Sequence, residues 1–372
     1  MKQVIFITFL IAFSILFLGS SCQKDQDLLA EVIQAEEPID ENVLDDATPA
    51  KPPVETDNGT SEDLDAIISN QFLNNPRVHG ALFCGPYTDS EPLILNGLKD
   101  VTISGLKIIN IKGNAIKISN CENLIIEKCF ISNATGNGIA ISGSSKNITV
   151  RNIRMDSVST GVYAQDSQGI VVENIEVKNV LGPFPRGQLV QFNQVSGKGN
   201  KINYNILENI VGKSYGEDSI NLFNSHGTID SPIEVFGNWI RGKSPSLSGG
   251  GIMTGDSGGS YIWVKDNVIV DPGGYGIGIA GGTNITIENN YVCAKNKDGK
   301  WSPIFVANWS GSSCSDNTIK NNIVSWITVA DTYQVMKNAG GCGIVIGWDT
   351  NDIEGNFDAA ILPEKILIDC DN

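Results

Sequence analysis

Short apolar runs alternate with variable positions along this chain, and the runs return at a fixed interval. Ala115-Ile116-Lys117-Ile118-Ser119 is followed by Gly138-Ile139-Ala140-Ile141-Ser142 and by Gly161-Val162-Tyr163-Ala164-Gln165, each start 23 residues after the last. Further copies start near Leu189, Ser219, Gly251, Gly276 and Pro303, with longer inserts between some of them. Within each run the period is two, as in a strand whose successive side chains point to opposite faces. Other short strands fall between the copies, among them Leu124-Ile125-Ile126-Glu127, Ile148-Thr149-Val150-Arg151, Ile170-Val171-Val172-Glu173 and Ile285-Thr286-Ile287-Glu288. Strands this short cannot bury a face alone. Stacked in parallel about 4.8 Å apart, they enclose one apolar core. The pattern predicts an all-β solenoid of about ten coils starting near Leu93. Asn beside the strands (Asn123, Asn147, Asn152, Asn174, Asn238, Asn267, Asn290 and Asn322) suits left-handed turns and side-chain stacking between coils.

Aligning the copies separates inside from outside. Val162, Val190, Ile220, Ile252, Ile277 and Ile304 form one inward column, and Ala164, Phe192, Leu222, Thr254, Ile279 and Val306 the next. Tyr163, Gln191, Asn221, Met253, Gly278 and Phe305 then point outward, as do Gln165, Asn193, Phe223, Gly255, Ala280 and Ala307. Asp166, Gln194, Asn224 and Asp256 end the strands. The middle coils thus present amides and carboxylates, which suit sugar hydroxyls, while later coils present small residues that leave open space.

Outside the repeat, three segments differ. Residues 1–21 pair Lys2 with an apolar run from Val4 to Leu18, the form of an export signal. Its ending, Leu18-Gly19-Ser20-Ser21-Cys22, resembles a bacterial lipoprotein signal, which implies lipidation at Cys22 and a place in the outer membrane. Gln23-Lys24-Asp25-Gln26-Asp27 resembles the acidic export tract of Bacteroidetes surface lipoproteins. Residues 22–62 are acidic, polar and proline-bearing, and read as a disordered tether. Ser61 to Leu73 places Leu64, Ile67, Ile68 and Phe72 at helical spacing, a short N-terminal cap for the β domain of residues 63–372. A net charge of −16 excludes a nucleic-acid partner in the absence of a basic stripe. It allows an anionic poly- or oligosaccharide held by a local basic cluster, and the chain is expected to be a monomer. An exported chain permits disulfides, and Cys293 with Cys314 and Cys342 with Cys370 are plausible pairs, buried thiols being the alternative.

The repeat is least regular between Gly182 and Gly259, where the inserts Gly182-Pro183-Phe184-Pro185-Arg186 and Gly242 to Gly251 fall. Rare charged and titratable residues gather there: Arg186, Lys213, Tyr215, Glu217, Asp218, His226, Arg241, Lys243 and Asp256. Loops on a rigid scaffold are common bearers of binding residues. Breaking a uronate by β-elimination needs a base at C5, neutralisation of the carboxylate and an acid for the leaving oxygen. Lys213, Tyr215, His226, Arg241 and Lys243 include those types and are expected to converge near Asn221 and Asp256. Gln191, Asn193, Asn221, Asn224, Asp256 and Arg186 are the candidate substrate-binding set.

Over roughly residues 90–360 the strands and turns resemble the right-handed parallel β-helix family, which includes pectate lyases and the chondroitinase B and alginate lyase group. Lys213-Ser214-Tyr215-Gly216-Glu217-Asp218-Ser219-Ile220-Asn221 resembles the site-bearing strand of that last group. The resemblance implies a carbon–oxygen lyase, as a polysaccharide lyase or an oligosaccharide dehydratase on uronate glycans, sulfated ones included. It implies Lys213 or Lys243 as base, Arg241 as acid or charge neutraliser, and calcium near Glu217 and Asp218. The Glu spacing differs from that group's, and Lys213 precedes the acidic strand rather than following it. A non-catalytic glycan-binding or adhesin role is the alternative. Hydrolysis ranks lower, because residues 63–372 hold no Asp-Asp pair, and the Gly-His-Gly and Arg-Ile-Lys strings of polygalacturonase-type β-helices do not occur.

Overall fold

The computed structural model describes residues 84–183, 185–242, 249–297, 302–328 and most of 330–355, with Ile361, Leu362 and Leu367. The export signal, the tether, the capping helix, Cys22, Lys243 and Cys370 lie outside the described residues. The described part is an all-β, right-handed parallel β-helix. Each coil contributes three strands, as in Ile116–Ser119, Glu122–Glu127 and Phe130–Ala134. The first and second strands of every coil join a nineteen-stranded sheet, and the third strands form a ten-stranded sheet. Register pairs run in parallel from coil to coil: Ile116 faces Ile139, Ile139 faces Val162, and Val162 faces Val190. No helix among the described residues is long and apolar enough to cross a membrane.

The first inward column holds in register throughout, and the second does so on either side of the step from Leu222 to Thr254. Val190 pairs with Ile220, Ile220 with Ile252, Ile252 with Ile277 and Ile277 with Ile304, all fully buried. Each such side chain contributes about 1.5–3 kcal/mol by leaving water. The small residue that opens a copy has a steric cause. A Cβ on Gly161 would meet the Leu189 carbonyl oxygen at 2.4 Å, and one on Gly276 the Pro303 oxygen at the same distance.

Asparagine plays two parts. Asn123, Asn147, Asn152 and Asn174 have positive φ and turn the chain at corners. Asn205, Asn238, Asn267, Asn290, Asn322 and Asn351 instead stack in a ladder, each Nδ2 donating to the next Oδ1 at 2.8–2.9 Å. The ladder also supplies partners to buried backbone groups, such as the Val235 carbonyl and the Asn238 N–H at Asn267. It satisfies polar groups that would otherwise cost free energy inside the stack.

The disulfide expectation is corrected. Cys314 pairs with Cys342, and Cys293 is a buried thiol. Cys293 packs with Ile206, Val268, Val270 and Tyr291 on the outer side of the ten-stranded sheet, whereas Cys314 belongs to the second strand column.

Candidate functional site

The outward column of the first strands changes character along the stack. Ile94 is 79% exposed and Lys117 is exposed, but Tyr163, Gln191, Asn221 and Met253 are each under 10% exposed. They lie in one register: Ile94, Lys117, Ala140, Tyr163, Gln191, Asn221, Met253, Gly278 and Phe305. Outward residues of a solenoid normally meet water. In the middle coils they are covered, and several are polar.

Asp218 is the centre of this covered stretch. Its Oδ1 accepts hydrogen bonds from the Tyr275 hydroxyl and, at 3.2 Å, from the Gly250 N–H. Its Oδ2 accepts from Asn221 Nδ2 at 2.9 Å, and the same nitrogen reaches Asp256 Oδ2 at 3.1 Å. One amide therefore bridges two carboxyls. Burial and then the nearby Glu217 charge push the Asp218 carboxyl up to about 7. Tyr275 is buried and held well above its usual range, first by burial and then by the Asp218 charge. Asn221 Oδ1 is a buried acceptor with no hydrogen-bond partner among the described residues.

A backbone irregularity aims Asp256 here. Met253 lies opposite Asn221, but the register slips so that Asp256 lies opposite Phe223. Gly255 makes the slip with φ +65°, and a Cβ on it would meet the Gly281 oxygen at 2.0 Å. Bulges of this kind re-aim side chains beside functional sites.

Aromatic rings border the carboxyl cluster. Tyr275 packs edge-on against Phe305, which stacks on Trp309 at 4.7 Å, and Trp309 is 38% exposed. On the other side Arg186 lies 4.3 Å over the Tyr163 ring and donates to Gln191 Oε1 at 2.5 Å. Asn193 Nδ2 donates to the Tyr163 hydroxyl at 3.0 Å.

Of the sequence-derived set, Arg186, Gln191, Asn193, Asn221, Glu217, Asp218 and Asp256 belong to this stretch. The expected convergence of Lys213, His226 and Arg241 is not found. Lys213 is exposed on the corner loop between the third and first strand columns. Tyr215, on that loop, is 53% exposed, and its hydroxyl donates to the Gly212 carbonyl. Arg241 sits in the ten-stranded sheet, opposite Glu208 and Val270, and its guanidinium donates to the Leu362 carbonyl at 2.7 Å. Its place among the third strands leaves it remote from the first-column face. His226 ends the strand Ile220–His226, five residues past Asn221, with its ring bonded to Ser260 and Asn224.

Tyr275, Phe305 and Trp309 were the omissions. Phe305 stands in the outward column of the sequence alignment, but the space beside Gly278 is not open. A Cβ on Gly278 would lie 2.3 Å from the Phe305 ring, which leans over it. Nor does calcium fit at Glu217 and Asp218. The Asp218 oxygens are engaged by N–H and O–H donors, and no group of three or more His, Cys, Asp or Glu side chains is placed to hold a metal among the described residues.

Residues 93–259 match a family model described as right handed beta helix region. No curated protein matches the chain. Among solved structures it is similar to DFA-IIIase from Arthrobacter chlorophenolicus A6 in complex with DFA-III, at 15% identity over 70% of this chain and 60% of that one, with a TM-score of 0.39. It is also similar to the tailspike protein of E. coli bacteriophage HK620 in complex with a pentasaccharide, at 14% identity over 78% and 62%, TM-score 0.31. A third is the catalytic unit of an alpha-1,3-glucanase from Streptomyces thermodiastaticus, at 13% identity over 69% and 50%, TM-score 0.22. The chain thus spans three-fifths or less of the DFA-IIIase and glucanase chains, and a little more of the tailspike. In fold, the chain is a right-handed parallel β-helix whose covered outward face runs from Tyr163 to Trp309.

Proposed function

We propose that the protein cleaves glycosidic bonds in a glycan, with Asp218 as general acid. The observation that carries this reading is the Asp218 carboxyl itself, buried, pushed up to about 7 and joined through Asn221 to Asp256. A carboxylic acid that keeps its proton near neutrality, beside carboxylates of more exposed surroundings, is the pairing that acid–base cleavage of a glycoside requires. Asp218 gives its proton to the leaving oxygen as the carbon–oxygen bond breaks. Water adds to the anomeric carbon and passes a proton to Asp256 or Glu217, both partly exposed. Asn221 Oδ1 accepts from a sugar hydroxyl, and Trp309 gives a ring an apolar surface to lie against. Hydrolysis therefore moves ahead of elimination, because Lys213 and Arg241 stand away from the amide face.

Elimination on a uronate keeps one specific support. Arg186 places a guanidinium beside Gln191 and Tyr163, where it would neutralise a substrate carboxylate. Incubation with a panel of neutral and uronate oligosaccharides separates the readings. New reducing ends without ultraviolet absorbance support hydrolysis. Chain cleavage with the absorbance of a 4,5-unsaturated product supports a lyase. Loss of water without cleavage supports a dehydratase, and binding with no product supports the adhesin role. Anchoring at Cys22 belongs to the same proposal: palmitate incorporation is expected in the full chain and lost in Cys22→Ala.

A further inference from the structure

The strand Ile252–Lys265 carries a second group of reactive residues just beyond Asp256. Its register with Ile220–His226 sets Ser260 opposite His226. Parallel coils bring such partners within about 5 Å. Ser260 Oγ lies 3.1 Å from His226 Nδ1, and Asn224 Oδ1 lies 3.0 Å from His226 Nε2. An amide oxygen only accepts, so the ring proton sits on Nε2 and the Nδ1 lone pair faces the Ser260 hydroxyl. That is the tautomer in which histidine can take a proton from serine. All three residues lie at a cavity of about 260 Å³ lined also by Ser257, Thr283, Ser312 and Ser313.

We propose that Ser260, His226 and Asn224 form an acyl-transfer site, separate from the Asp218 cluster, that hydrolyses short acyl esters. Ser260 Oγ attacks the ester carbonyl carbon while its proton passes to His226 Nδ1. The tetrahedral intermediate collapses, the alcohol leaves with that proton, and an acyl-serine remains. Water then attacks the acyl carbon, gives a proton to Nδ1, and the carboxylic acid departs as the proton returns to Ser260. Asn224 is a positioning residue: it holds the tautomer, as the third member of such a constellation does. Hydroxyls of the Ser and Thr residues around the cavity are the donors available to the oxyanion. Among the described residues His226 is the one titratable side chain lining the cavity, and burial holds it below its usual value, so it is a neutral base at pH 7. The cavity is smaller than the roughly 300–1,000 Å³ of drug-sized sites, which suits an acetyl ester better than a long chain.

The test is independent of any glycan. The full chain is given p-nitrophenyl acetate, and in parallel a fluorophosphonate whose adduct is located by mass spectrometry. Hydrolysis and labelling at Ser260 are expected. Ser260→Ala and His226→Gln lower the rate by roughly 10³-fold or more. Asn224 has φ 42°, a conformation glycine accepts, so Asn224→Gly removes the oxygen without straining the corner. It lowers the rate roughly tenfold or more, and Asn224→Asp, which keeps an acceptor, restores it. Equal rates in wild type and Ser260→Ala, with both chains folded by circular dichroism, would overturn the proposal. So would labelling that avoids Ser260.

Discussion

The early coils and the middle coils are built on the same register, yet their outer faces differ. In the early coils the first-strand outward column is exposed at Ile94 and Lys117, and the adjoining second strands carry surface ion pairs, Lys99 to Glu122 at 2.7 Å and Arg151 to Glu127 at 2.8 Å. Between Arg186 and Trp309 the first-strand face instead holds a covered carboxyl, a covered amide and stacked rings. The backbone plan is constant; what changes is what lies over the outward side chains, Tyr275 and Gly250 at Asp218 and Arg186 at Gln191. Shielding raises the Asp218 carboxyl and gives Asn221 an unpaired acceptor. In the early coils the same residue types would be ordinary solvated surface.

The largest effect should come from the centre of the covered face. Asp218→Asn keeps the shape and loses the acid, and glycan cleavage should fall by roughly 10²–10⁴-fold, read as initial rate. A small loss would place the chemistry elsewhere. Next comes the ladder that both regions lean on. Asn267→Ala removes bonds to Val235, Asn290 and Asn238 inside the stack, and should cost roughly 3 kcal/mol in denaturant unfolding. Trp309→Ala should raise KM about tenfold and change kcat little, by loss of a stacking surface. The smallest effect belongs to the early coils: Lys99→Ala should leave both the denaturant midpoint and the cleavage rate unchanged. A measurable loss there would break the contrast between the two faces.

The two faces also differ in how far the sequence could be read. Period two and the 23-residue spacing were enough to align Ile116 with Ile139 and Val162, and the recurring run carried the alignment across longer inserts to Val190 and Ile220, because parallel stacking repeats one environment in every coil. The stacked asparagines were legible for the same reason. Asn221, Gln191 and Asp256 were found by the outward alternation. Tyr275 was not, since it lies 57 residues from Asp218 and meets it only through coil stacking. The bulge at Gly255 was hidden too, being a one-position slip with no signature beyond a glycine. Lys213, Tyr215 and Arg241 were drawn in by residue type and by the resemblance to a lyase strand. Their positions follow from the corner loop and from the third-strand column, which alternation does not encode.

The protonation of Asp218 is the claim on which the proposed chemistry depends. Its carboxyl is raised, so the folded chain binds the proton more tightly than the unfolded chain, where an aspartate ionises near pH 4. The resulting stabilisation is fully present below about pH 4 and is lost as pH rises through about 7. Infrared difference spectra of wild type against Asp218→Asn, recorded across this range, isolate the protonated-carboxyl stretch of that one residue. The expected result is a band present at pH 5 that fades around pH 7 and is missing from the variant. No such band at pH 5, or one that fades near pH 4, would contradict the assignment of Asp218 as the acid.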